Sequence, residues 1–243
     1  LDVLLVSDDA YVDHPAFGVA LLARRLEAEG WRVGVVAQPA WDSTRDIERL
    51  GRPRLFAGVT AGCVDSMVSR FTAARKPRRD DPYAPGGRGG LRPPRAVIVY
   101  TNLLRRAFPG LPVVIGGLEA SLRRLAHYDY WTDAIRRSIL FDSKATLLVH
   151  GMGERQVVEI ARRLDAGQDL TGIRGTAEVL GRGVAAPADA VTLPSFERVG
   201  SDKRAFLEMT LAAEREANPH CAAPLIQAHG DRMLLVHPPT EPL

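Results

Sequence analysis

Asp2-Val3-Leu4-Leu5-Val6-Ser7 (DVLLVS) is a short run of β-branched and leucine residues without polar alternation. That is the pattern of a strand buried on both faces of a parallel sheet. The elements after this strand decide the fold. Over residues 15–29, Pro15 suits a first helical turn and Val19, Leu22 and Leu26 recur on one face, while Gly30 can end the helix in the left-handed conformation. Arg32 to Ala37 (RVGVVA) returns to a strand, and Asp42 to Leu50 reads as a short polar helix. Leu55 to Thr60 (LFAGVT) is a third strand, with a helix expected around Asp65 to Ala74.

Residues 96–107 (AVIVYTNLLRRA) begin like a strand, but Val97, Tyr100, Leu104 and Phe108 fit a helical stripe. A helix also preserves the alternation. Pro112 to Ile115 and Thr146 to His150 supply a fourth and a fifth strand, and Glu154 to Leu164 a helix with Val157, Ile160, Ala161 and Leu164 on one face. Strand and helix alternating five times predict an α/β fold with a doubly wound, five-stranded parallel sheet over residues 1–170. Beyond residue 170 the rhythm changes. Short strands are expected at 173–179, 191–193 and 233–236, and a helix at 202–217, so 171–243 reads as a mixed α/β connector or the start of a second domain.

The 243 residues carry 46% hydrophobic and 25% charged side chains, a globular composition with no apolar run near the roughly 18 residues of a membrane span. With no secretory signal pattern in view, the expected location is cytoplasmic. Leu1 stands almost inside a strand and His237 to Leu243 form a Pro-rich tail, so both ends read as cuts through a longer polypeptide. Cys63 and Cys221 lie far apart and offer neither a zinc spacing nor a disulfide framework, which favours a small buried hydrophobe at each position. The formal charge of +3 is uneven. Residues 75–95 hold seven basic side chains (Arg75, Lys76, Arg78, Arg79, Arg88, Arg92, Arg95) against Asp80 and Asp81, among five prolines and four glycines. A solvated loop and an RNA-phosphate contact are both open readings of that segment.

Ligands of an open parallel sheet sit outside the carboxyl ends of the strands. There the sequence places Asp13, His14 and Gly18 after the first strand, Thr60 and Gly62 after the third, Gly116, Gly117 and Glu119 after the fourth, and Gly151, Gly153 and Glu154 after the fifth. These are the candidate cofactor-binding residues, with ordinary turn chemistry as the alternative for each glycine. Glu154 would repel a bare phosphate and suits a hydroxyl or an amide better. His14 is either a hydrogen-bonded loop histidine or a cobalt ligand. Cobalamin-dependent mutases carry such a ligand in a DxHxxG pattern, from which Asp13-His14-Pro15-Ala16-Phe17-Gly18 departs by an adjacent aspartate and a late glycine. Arg123, Arg124, His127, Tyr128, Tyr130 and Trp131 belong to a segment that could stack a planar ligand or a base, or form a domain interface.

Several stretches resemble the YgiQ-type radical SAM family. They are DAYVDHP (9–15), LFAGVTAG (55–62), GGLEASLRRLAHYDYW (116–131), RS (137–138), DSKA (142–145), GMGE (151–154), LPSFE (193–197), NP (218–219), HGDR (229–232) and PP (238–239). The resemblance covers nearly the whole chain and implies a Rossmann-like, cobalamin-binding-type front region. It also implies a subsequent radical SAM barrel, holding a 4Fe–4S cluster on a CxxxCxxC motif and using S-adenosylmethionine. No metal site and no catalytic residue is assigned within this chain, since Cys63 and Cys221 cannot supply the motif, and the chain is expected to be inactive alone. The expected roles are binding a corrinoid or shaping the substrate side of the barrel, from the strand-end loops and the resemblance, docking RNA, from the 75–95 segment and the arginine-flanked aromatics, or serving as a non-binding interaction domain; a membrane is not among the expected partners.

Overall fold

The computed structural model describes residues 1–11 and 17–241. In chain order the strands are β1 (Val3–Ser7), β2 (Val33–Ala37), β3 (Phe56–Thr60), β4 (Val113–Gly116), β5 (His127–Asp129), β6 (Ala134–Arg136), β7 (Leu147–Val149), β8 (Thr176–Val179), β9 (Val191–Thr192), β10 (Leu225–His229) and β11 (Arg232–Val236). The helices are α1 (Phe17–Ala28), α2 (Arg45–Glu48), α3 (Ser66–Arg70), α4 (Ala96–Ala107), α5 (Gly117–Leu122), α6 (Ile139–Ser143), α7 (Glu154–Asp165), α8 (Phe196–Ser201) and α9 (Lys203–Arg215).

The five expected strands are present and mutually parallel, in the order β2-β1-β3-β4-β7. Residues 96–107 form the helix α4. Pairing is in register from Val3 against Val33 and Phe56 to Ser7 against Ala37 and Thr60, so these strand ends finish level at one rim. The sheet itself corrects the expectation: it has nine strands rather than five, continuing β7-β8-β11-β10-β9. The reason is physical. The three residues of β7 are fully buried, and an edge left there would bury unpaired backbone groups. Antiparallel β8 covers that edge, followed by the β11–β10 hairpin turned at Gly230-Asp231. The sheet thus runs without a break across residue 170.

Period-two alternation in β1 sends Leu4 and Val6 to one face and Val3 and Leu5 to the other. The first face packs on α4 through Tyr100 and Leu104, on α6 through Ile139 and on α9 through Met209. The second packs on α1 through Val19, Ala23 and Leu26, and on α7 through Val157, Ile160 and Ala161. Gln227 on β10 is fully buried and locks the added half in place: its Oε1 accepts from the Ala126 amide at 2.9 Å, and its Nε2 donates to the Pro194 carbonyl at 3.0 Å.

Candidate functional site

α1 and α7 lie on the second face but leave the upper ends of β1, β3, β4 and β7 uncovered between them. The gap is a cavity of about 460 Å³ open at the rim. Its floor is the sheet (Leu5, Phe56, Gly58, Val114, Val149), its walls are Val19 and Leu22 of α1 and Val157 of α7, and its mouth carries Phe17, Tyr83 and Met152. Eight sequence-predicted residues line it: Gly18, Thr60, Gly62, Gly116, Gly117, Gly151, Gly153 and Glu154. Asp13 and His14 lie outside the described residues.

Two of these glycines are there for close approach. Gly62 has φ +87°, and a Cβ at that position would sit inside the Asp9 carboxylate. Gly117 has φ +79°, and its Cβ would collide with the Thr60 hydroxyl. Gly58 differs: it sits inside a strand, where glycine weakens pairing, and its missing side chain deepens the cavity floor.

Behind the rim lies a buried ionic network that no local sequence pattern announces. The Arg92 guanidinium, 1% exposed, contacts Asp8 Oδ2 at 3.3 Å, Asp9 Oδ1 at 2.6 Å and Asp81 Oδ2 at 2.5 Å. Asp9 Oδ2 also accepts from the Cys63 amide at 2.8 Å, and the Tyr100 hydroxyl donates to Asp8 Oδ1 at 2.9 Å. One cation faces three carboxylates. Burial therefore pushes the Asp8 carboxyl up to about 7, against the opposing pull of Arg92 and Tyr100, so a proton is shared into the network near neutral pH. The network staples the 81–92 segment onto the end of β1, and that segment presents Tyr83 to the cavity, with the Arg92 guanidinium 5.5 Å from its ring. Residues 75–95 are therefore not simply a solvated loop: Asp81, Ala84 and Arg92 are buried. The adjacent acids Asp8-Asp9 directly after a buried strand were the available signal, but their partner stands 84 residues away from Asp8.

The remaining predicted residues lie elsewhere. Glu119 is 1% exposed on the other face; it accepts from the Ser66 amide and hydroxyl and from the Val97 amide, tying the starts of α3 and α4 together, and burial raises its carboxyl above the usual range. Arg123 pairs with Asp65, and Arg124 donates to the Ser121 carbonyl. His127 is held near pKa 4 by desolvation and bonds the Leu125 carbonyl. Trp131 packs on Phe71, whereas Tyr128 and Tyr130 are half exposed. Cys63, at the cavity wall, and Cys221 are both exposed rather than buried. Among the described residues no group of three or more His, Cys, Asp or Glu side chains could hold a metal ion, and no helix is long and apolar enough to cross a membrane.

Comparison with known proteins gives a family match along the whole chain: the radical SAM N-terminal family model covers residues 1–243. A UPF0313 protein of Geobacter sulfurreducens is 59% identical over the full chain, which spans 41% of that relative. UPF0313 proteins of Bradyrhizobium diazoefficiens and Thermotoga maritima are 48% and 49% identical, with the chain spanning 39% and 43% of their lengths. The chain thus covers about two fifths of the curated relatives it matches. Among solved structures, the radical S-adenosylmethionine methyltransferase TsrM from Kitasatospora setae, with tryptophan substrate and a SAM analog bound, is similar at a TM-score of 0.49 and 20% identity. The similarity covers 72% of this chain and 28% of that one.

Proposed function

Because the chain belongs to the radical SAM N-terminal family, we propose that its rim cavity takes the nucleotide arm of a corrinoid, in the service of a radical SAM barrel carried elsewhere in a longer polypeptide. The observation that carries this reading is the cavity. It is apolar along floor and walls and opens at the strand ends. Its volume accommodates one planar aromatic base with its sugar but not a whole corrinoid. The corrin ring would then lie across the mouth, over backbone that Gly117, Gly151 and Gly153 leave free of side chains.

The residues divide the work. Leu5, Val114, Leu22 and Val157 exclude water from the inserted base, and Glu154 offers a carboxylate to a hydroxyl at the start of α7. Phe17 and Met152, 60% and 65% exposed at the mouth, form an apolar margin that a bound ligand or an apposed barrel would cover. A corrinoid, when bound, supplies a cobalt centre for group transfer or electron transfer. The cluster and S-adenosylmethionine belong to the barrel in this reading, since two cysteines cannot provide three thiolates.

Hydroxocobalamin added to the chain should co-elute on gel filtration, read by corrinoid absorbance. Gly58→Val should leave the fold standing, because the nearest obstacle to a new Cβ is the terminal methyl of the Leu5 side chain at 2.8 Å, which can rotate toward the cavity, while the added methyls occupy the cavity floor. Corrinoid retention should fall at least about tenfold in that variant, which corresponds to ~1.4 kcal/mol of binding. Equal retention by both proteins would refute the site. No retention by either would leave the rim as a barrel-facing surface alone.

A further inference from the structure

The 71–92 segment has an outer side that the cavity does not use. It is ordered, not floppy: the Arg78 amide donates to the Arg70 carbonyl at 2.8 Å, the Thr72 amide to the Lys76 carbonyl at 2.8 Å and the Gly89 amide to the Arg79 carbonyl at 3.2 Å. On that side Arg75, Lys76, Arg79 and Arg88 are exposed, and none of them has a carboxylate within ion-pairing distance among the described residues. Arg92 and Arg95, farther along, are fully engaged with Asp8, Asp9, Asp81 and Asp129.

The fold brings to this cationic edge the aromatic segment at β5, some 55 residues later in the chain. The Tyr130 hydroxyl donates to the Ala73 carbonyl at 2.6 Å, the Arg75 guanidinium lies 4.8 Å from the Tyr130 ring centre, and Trp131 packs on Phe71 at 5.5 Å. Trp131 is thereby the anchor. Tyr128 lies in β5 and Tyr130 in the turn that follows it, and they remain 48% and 46% exposed. Rigid aromatic faces beside unpaired cations suit a strand whose bases are unstacked and whose phosphates run alongside. A duplex would present only its phosphates, and the tyrosines would find no base to meet.

We propose that Arg75, Lys76, Arg79, Arg88, Tyr128 and Tyr130 form a docking surface for single-stranded nucleic acid. The same segment turns Tyr83 into the cavity mouth, so a strand held here would lie beside the corrinoid rim. The surface does not depend on the cavity being occupied.

Fluorescence anisotropy of the chain with a labelled single strand of about 12 nucleotides tests it, with RNA and DNA arms, a duplex arm and anionic phosphatidylglycerol vesicles as competitor. Single strands should bind at least about tenfold more tightly than duplex. R75Q/K76Q/R79Q/R88Q should lower the salt slope of log K by about 3, the loss of four phosphate contacts. Y128A/Y130A should weaken binding at least about thirtyfold while leaving that slope unchanged. The ratio of the RNA and DNA arms names the natural strand. Binding that survives the quadruple substitution, or that vesicles displace as well as unlabelled strand while the tyrosine variant binds normally, would overturn the proposal.

Discussion

Replacing Arg92 by methionine should lower the unfolding free energy by about 3–5 kcal/mol at pH 7.5, measured by urea denaturation. Among the described residues the side chain is the single cation among the buried Asp8, Asp9 and Asp81, so its removal leaves buried negative charge with hydroxyl and amide partners. The effect has a pH signature in the wild-type protein. Asp8 is raised in the folded state to about 7 from an ordinary value of 3.8, so the stability it contributes is fully present below about 3.8 and is lost as pH rises through about 7. Asp2 works in the opposite direction: hydrogen bonds from Arg32, chiefly, and Arg54 hold its carboxyl far below 3.8, so its contribution is present above that value and is lost in strong acid. Asp8→Asn should therefore compare more favourably with wild type at pH 8 than at pH 5. A difference that does not change between those pH values would contradict the protonation of Asp8.

Gly62→Ala should be nearly as damaging, with a loss of roughly 2–4 kcal/mol from left-handed strain and steric displacement together. The two causes separate cleanly. Gly90 has almost the same backbone angle, φ +88° against φ +87°, but open space where a Cβ would stand. Gly90→Ala should therefore cost only the strain, about 1 kcal/mol. The excess at Gly62 measures how firmly the Asp9 carboxylate is held by Arg92 and the Cys63 amide. Equal losses at the two glycines would mean that Asp9 moves aside freely and that the network is no rigid staple.

The parallel half of the sheet was legible because its strands are short and apolar and alternate with helices, of which α1, α4 and α7 carry a clear apolar stripe. Even the ambiguous 96–107 resolved correctly, since Tyr100 and Leu104 fall one turn apart on a buried helix face. The antiparallel half was only partly legible. Leu225 to His229 (LIQAH) carries a glutamine and a histidine that read as polar, yet Gln227 is buried as a tie between three segments and His229 stacks on Phe196 and meets the Phe141 ring at a tilt. Buried polar residues with long-range partners give no local signal.

The same holds for the site. The strand-end glycines showed the rim, because rim position follows from where strands stop. The cavity walls did not show: Leu22 and Val157 follow the same periodicity as any core residue, and only their neighbours reveal that they face a gap. Gly58 was the clue within reach, a glycine in the middle of an otherwise apolar central strand. Glu119 illustrates the converse, since its place after a strand suggested a ligand contact while its oxygens serve the backbone of α3 and α4.

Methyl NMR of the leucine and valine side chains, recorded as hydroxocobalamin is added, tests the site most directly. Insertion of the nucleotide arm predicts saturable shifts for Leu5, Leu22, Val114 and Val157, with Leu104 and Leu234 on the other face unmoved. Shifts confined to surface methyls away from the rim, or none at saturating ligand, would contradict it.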